Sequence, residues 1–209
     1  MASVEEVLAA IESVDLTAPW ADVAGDLQLV LPRRRPMPPG TEDLPVRRYP
    51  LGIDASLGLD IGPAMLFVGR ELLEKWAVGT DDAFDRAEAN VRDAVRSGRR
   101  FDTVRDHIAG EPILAFQSGE GWASALLLMP SELSRVLGVD SGLILAPMRD
   151  LVVRMPLDTH VALAAWILEE FAEEDVNALD VPVLALVDGR LSVAVPDVPA
   201  WSSQAVRSH

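Results

Sequence analysis

A chain of 209 residues suits one domain, or one domain with an appended subdomain, and 49% hydrophobic against 24% charged residues excludes general disorder. The net charge of −15 argues against a nucleic-acid partner, because a polyanion is repelled at long range, and it permits a basic protein partner. With no cysteine, disulfides, thiol catalysis and thiolate metal sites are ruled out.

Lys75 is the only lysine among 18 basic residues, a bias expected of a GC-rich bacterial genome. The start, Met1-Ala-Ser-Val-Glu-Glu, lacks the basic and apolar regions of a signal peptide. No uncharged apolar run approaches the ~18–20 residues that span a bilayer. A soluble cytoplasmic protein with no membrane contact is expected.

Ser3-Val-Glu-Glu6 is a capping-box pattern that predicts a first helix, closed by residues 15–20. A short strand is expected at 27–31. Residues 32–45 hold a Pro-rich run with Arg33, Arg34 and Arg35, a loop that reads either as a basic docking arm or as a solvated connection. From 51 to 62 apolar and small or polar residues alternate strictly. Leu51, Ile53, Ala55, Leu57, Leu59 and Ile61 share one face, which predicts a strand with one buried side, and its glycines invite a bend, a bulge or a turn. Asp54 and Asp60 lie on the other face, ~20 Å apart if the strand is straight, too far for a shared cation.

A strand at 64–68 and a short helix at 69–77 follow. Thr80-Asp-Asp then caps a longer helix reaching Ser97, with Gly98 as its stop. Phe84, Ala87, Val91, Ala94 and Val95 form its apolar stripe, and Asn90 borders it, either bonding backbone or lining a cleft. Residues 101–108 suggest a short helix. Strands are expected at 113–116 and 123–129, joined by a turn at 117–122, and a helix runs from Pro130 to Leu137. Asp158 opens the strongest helix, with Val161, Ala164, Ala165, Leu168 and Phe171 inward and Trp166 and Ile167 widening the stripe. Asp188-Gly189 marks a tight hairpin between 183 and 195. The last dozen residues read as a loose tail.

The run 143–155 sets Pro147-Met-Arg149-Asp150 between two apolar β-type halves. One continuous strand would put Asp150 and Arg154 on one face; a hairpin would put Arg149 and Asp150 at its tip. Known chemistry finds little purchase here. His107, His160 and His209 have no zinc spacing, and there is no nucleophile elbow, phosphate loop or dinucleotide fingerprint. No metal and no cofactor is expected.

Four motifs in order, Leu73-Glu-Lys-Trp76-Ala-Val, Ala87-Glu-Ala-Asn90, Ala123-Ser-Ala-Leu-Leu-Leu-Met-Pro130 and Ala146-Pro-Met-Arg149-Asp150-Leu-Val-Val, resemble the domain-of-unknown-function 1444 family of bacteria. The likeness covers roughly residues 64–187. It implies a soluble bacterial cytoplasmic protein, and it carries over no catalytic residue and no cofactor.

The expected fold is α+β, a mainly antiparallel sheet built from hairpins with the Thr80 and Asp158 helices packed on one face. Three segments are expected: 1–62, a core at 63–196, and the tail. The leading functional reading is a non-catalytic binding or regulatory module acting through a protein partner or self-association. Its interface would set Arg92, Arg96, Arg99, Arg100 and Arg105 against Glu169, Glu170, Glu173, Glu174 and Asp175. The alternative is an enzyme acting on a small anionic molecule held by Asn90, Trp122, Arg149, Asp150 and Arg154, with Arg as the anion clamp and Asp as orienting group or base.

Overall fold

The computed structural model describes residues 3–195 except 16, 36–40, 42, 62, 63, 98–101 and 176. The predicted interface residues Arg99 and Arg100, the stop at Gly98, the middle of the Pro-rich segment and the tail lie outside the described residues.

Helix α1 (Val4–Ser13) starts on the predicted capping box. The Ser3 hydroxyl accepts from the Glu6 amide at 3.2 Å and the Glu6 carboxylate accepts from the Ser3 amide at 2.7 Å. Helix α2 (Trp20–Val23) is a single turn. A first antiparallel sheet then forms from β1 (Leu27–Val30), β2 (Arg47–Arg48), β3 (Asp54–Asp60) and β4 (Met65–Phe67), with β1, β2 and β4 all paired to β3. The alternation of β3 holds, since Ile53, Ala55, Leu57 and Leu59 are all buried.

Leu51 does not join that face. It sits in a 3-10 turn with φ 68° and is 37% exposed. Gly58 does not bend the strand either. It makes room, because a Cβ there would collide with the Met65 thioether and the Val30 side chain. Since β4 pairs with β3, the sheet runs across the expected boundary at residues 62 and 63.

Helix α3 (Arg70–Lys75) leads into α4 (Thr80–Arg96), whose N-cap is Gly79 with no side-chain cap, so Thr80 lies one residue inside the helix. Its stripe of Phe84, Ala87, Val91, Ala94 and Val95 is buried as predicted. Glu88 and Arg92 pair at 2.7 Å, whereas Arg86 passes over Asp82 and donates to the Ala24 carbonyl at 3.3 Å.

Among the described residues the second sheet has six strands, all antiparallel: β5 (Asp102–Ile108), β6 (Glu111–Gln117), β7 (Gly142–Met148), β8 (Leu151–Met155), β9 (Leu184–Val187) and β10 (Arg190–Val193), in the order β10-β9-β7-β8-β6-β5. Two expectations fail here. Residues 102–108 are a strand, not a helix. The sequence cue was weak because six of the seven residues are exposed and leave no apolar stripe. Residues 123–129 are not a strand but hold a 3-10 helix, Ala123–Leu128, almost wholly buried. A continuous short apolar run carries no period, so strand and buried helical turn look alike in sequence. With that strand gone, residues 118–122 form a loop, not a hairpin turn.

Helix α5 (Pro130–Leu137) ends at Gly138, φ 65°, as predicted. Helix α6 (Val161–Glu174) begins three residues later than Asp158, with His160 as N-cap. Ala164, Ile167 and Leu168 are buried while Trp166, expected to widen the inner stripe, is 50% exposed.

The class is α+β with hairpin-built antiparallel sheets, as expected. Each main helix covers a sheet, and the two lie in different cores. Leu143, Leu145, Val153 and Met155 pack with Ala164, Ile167 and Leu168 of α6. Phe116, Ile144, Ala146, Val152, Leu184 and Leu186 share the larger core with Phe84 and Val91 of α4 and Leu57 of β3. The unbroken apolar run at 143–146 is the physical reason: a strand without alternation buries both faces.

Candidate functional site

Of the two readings of 143–155, the hairpin is the one formed. Leu145 pairs with Val153 and Met148 with Leu151, so β7 carries one extra residue before the tip. Pro147 lies in this bulge, a position where a missing backbone N–H costs no ladder bond. Arg149 and Asp150 form the tip and reach back into the body of the protein.

The Asp150 carboxylate takes three donors from one loop: the Ser118 amide at 3.0 Å, the Gly119 amide at 2.8 Å, and the Ser118 hydroxyl. The Ser118 oxygen in turn accepts from the amides of Glu120 and Trp122, each at 3.2 Å. The Arg149 carbonyl accepts from Ser124 N at 2.9 Å, and its guanidinium lies 3.5 Å from Asp60 at the end of β3. Gly121 is required beneath that guanidinium. Its φ is 78°, and a Cβ would stand 2.6 Å from an Arg149 nitrogen.

The loop held in this way forms one wall of a cleft of about 580 Å3. The opposite wall is α4, which presents Arg86, Asn90, Asp93 and Ser97, and the floor carries Leu27, Val91, Ala94 and Trp122. Asn90 donates its amide to the carbonyls of Ala24 and Leu27 at 2.8 and 2.9 Å, tying α4 to the start of β1. Gln28 donates to the Glu120 carbonyl at 2.9 Å, tying β1 to the loop, while its own side-chain oxygen is shielded from solvent and without a partner. The walls are thus braced by hydrogen bonds before any ligand arrives. Among the described residues four lining carboxylates, Asp26, Asp60, Asp93 and Glu120, accompany one lining guanidinium, Arg86.

Beside the cleft, β2 straps α4. Arg47 binds Asp85 at 2.7 Å, Asp81 at 3.1 Å and Glu88 at 3.2 Å, and its guanidinium sits 4.8 Å above the centre of the Phe84 ring. Burial works against the Arg47 charge, and its hydrogen bonds to Asp85 and Asp81 outweigh burial and raise its pKa. Tyr49 donates to Glu88 at 2.8 Å; burial and that bond push its phenol above the ordinary value of 10.0.

Of the residues predicted for a ligand, Asn90 and Trp122 line one cleft, and Arg149 stands behind it through Asp60. Asp150 faces the loop backbone rather than the cleft. Arg154 is elsewhere, donating twice to the Ser141 carbonyl at 3.2 Å. The predicted interface charges have partners within the chain in several cases: Arg92 with Glu88, Arg96 with Glu132 at 4.0 Å, and Glu169 with Arg34. The bond to Arg34 holds the Glu169 carboxyl below its ordinary value. Glu170, Glu173 and Glu174 are exposed.

The start of the supposed arm is also engaged, since Arg33 bridges Leu179 and Arg34 N donates to the Ala178 carbonyl at 3.0 Å. Sequence reasoning missed Asp26, Gln28, Asp60, Arg86, Asp93 and Glu120 as lining residues. One signal was present: Arg86, Asn90, Asp93 and Ser97 recur at helical spacing beside the apolar stripe.

Among the described residues no group of three or more His, Asp or Glu side chains is placed to hold a metal, and no helix is long and apolar enough to cross a membrane. The fold and site define an α+β protein of two antiparallel sheets with a braced acidic cleft. No family model, no curated protein and no solved structure matches this chain.

Proposed function

We propose that this chain is a non-catalytic binding or regulatory module whose recognition surface is the acidic cleft. Its occupant is a cationic group, supplied either by a small amine or guanidine or by a basic side chain of a protein partner. The observation that carries this reading is the lining, in which the described residues set four carboxylates against one guanidinium in walls already braced. Asp60 has Arg149 beside it, while Asp26 and Asp93 have no ion-pair partner among the described residues.

The commitment of Arg149 and Asp150 to the loop weighs against the enzyme alternative with an anionic substrate. A clamp must face its anion, and Asp150 already accepts three hydrogen bonds. Membership of the domain-of-unknown-function 1444 family belongs to the same proposal, supported by the order of the four sequence motifs. A bacterial cytoplasmic setting belongs to the proposal too, and its bacterial part is supported by the single lysine among 18 basic residues.

Thermal unfolding with agmatine, with an Arg-bearing peptide and with citrate tests the reading. Saturation at about a hundred times Kd adds ~2.7 kcal/mol of stability. The expected result is a shift with agmatine or the peptide that disappears when Asp26→Asn and Asp93→Asn are combined. A shift with the peptide alone identifies a protein partner. Stabilisation by citrate in place of the cations overturns the proposal and restores the anionic substrate.

A further inference from the structure

The edge of the six-stranded sheet offers a second recognition surface, independent of the cleft. Strand β5 pairs with β6 through all seven of its residues, and among the described residues it pairs with no other strand. The hairpin closes at Ala109 and Gly110, φ 53° and 86°, the two-residue turn whose flanking pair, Ile108 and Glu111, exchanges both hydrogen bonds. Ile108, Asp106, Val104 and Asp102 therefore bond inward to β6. The backbone N–H and C=O of Thr103, Arg105 and His107 point off the sheet. The structure bears this out at one position, where the His107 amide donates to the Asp106 side chain at 2.8 Å. Six of the seven side chains are exposed, with Val104 at 54%.

The charges along this edge select its occupant. Asp102, Val104 and Asp106 share one face, and Thr103, Arg105 and His107 share the other. A second copy is a poor fit. Outward-bonding residues must meet outward-bonding residues, which leaves three antiparallel self-registers overlapping by five residues or more. Centred on Arg105, Arg faces Arg; on Asp106, Asp faces Asp; on Val104, Asp102 faces Asp106. Like charges directly opposite are destabilising.

We propose that β5 docks an antiparallel strand of a protein partner with basic residues opposite Asp102 and Asp106, an acidic residue opposite Arg105 and an apolar residue opposite Val104. Backbone bonds supply affinity and the facing charges set register. Read along the partner, the pattern is basic, acidic, apolar, polar, basic.

The test uses the full chain and a capped peptide with the core Lys-Glu-Val-Thr-Lys, followed by calorimetry and amide hydrogen exchange. Binding with new protection at Thr103 and Arg105 is expected. Arg105→Pro removes an outward N–H that β6 does not use, and it should abolish binding while the hairpin persists. As a second variant, D102K combined with D106K should weaken this peptide about tenfold and favour one with Glu at both ends by a similar factor. Three results each overturn the proposal: no binding, protection confined to other amides, or a dimer of the chain itself that competes with the peptide. Any of them leaves Asp102, Arg105 and Asp106 as guards against edge-to-edge pairing. Failure of the agmatine experiment leaves this result untouched, because among the described residues the cleft and the edge share none.

Discussion

The β5–β6 and β7–β8 hairpins lie in one sheet and each closes on two residues, yet they are used in opposite ways. In the first, Ala109 and Gly110 adopt positive φ, the turn matches the twist of the strands, and the tip stays in solvent. In the second, neither Arg149 nor Asp150 has a positive φ, and a bulge at Ala146 and Pro147 re-aims the tip toward the body. Buried strands on both faces then hold that tip against residues 118–124. The hairpin motif is shared. What differs is whether the polar tip finds backbone donors to satisfy.

The two hairpins should differ most at their carboxylates. Asp150→Ala strands the Ser118 and Gly119 amides and the Ser118 hydroxyl, and should cost about 2–4 kcal/mol in urea denaturation. Asp106→Ala on the exposed hairpin should change stability by no more than about 0.5 kcal/mol. Equal effects would mean that the clasp contributes nothing beyond an ordinary surface carboxylate.

The glycines sharpen the contrast at a smaller scale. Gly121→Ala forces a positive φ on alanine and displaces the Arg149 guanidinium, so a loss of roughly 2–3 kcal/mol is expected. Gly110→Ala meets open space and should lose only about 1 kcal/mol of backbone preference. Chemical denaturation of the two variants side by side checks the order.

Arg47 belongs to neither hairpin and serves as a calibration. Removing it with Arg47→Ala breaks three ion pairs to α4, all of them partly solvated, and should cost about 1–2 kcal/mol.

The smallest effect at neutral pH concerns Tyr49, the only tyrosine. Its folded pKa is raised above the unfolded value, so its contribution is complete below pH 10.0 and is lost as pH climbs through the folded value. Phenolate absorbance should therefore appear at higher pH in the folded chain than in urea. Coincident titrations would contradict the Tyr49–Glu88 bond.

Much of the fold was legible because local rules and burial agreed. The capping box at Ser3, the stripe of α4, the stop at Gly138 and the Asp188-Gly189 turn each carry their own local signal. The two misread segments fail for opposite reasons. Strand β5 has no buried face to create a period, and residues 123–128 have no exposed face. The candidate site was half legible. Asn90 and Trp122 stood out in sequence and do line the cleft, while Asp26, Asp60 and Glu120 reach it from three separate elements with no shared spacing.

By itself the sequence determined the α+β class, the antiparallel hairpins and the core positions, since these follow from periodicity, capping and turn chemistry over a few neighbouring residues. Only the tertiary structure decided that α4 and α6 occupy separate cores, that Asp150 holds a loop instead of facing a ligand, and that the cleft is acidic. Those outcomes depend on long-range pairings: Asp150 meets Ser118 because β8 pairs with β6 within one sheet, and Asp60 meets Arg149 where the other sheet approaches it.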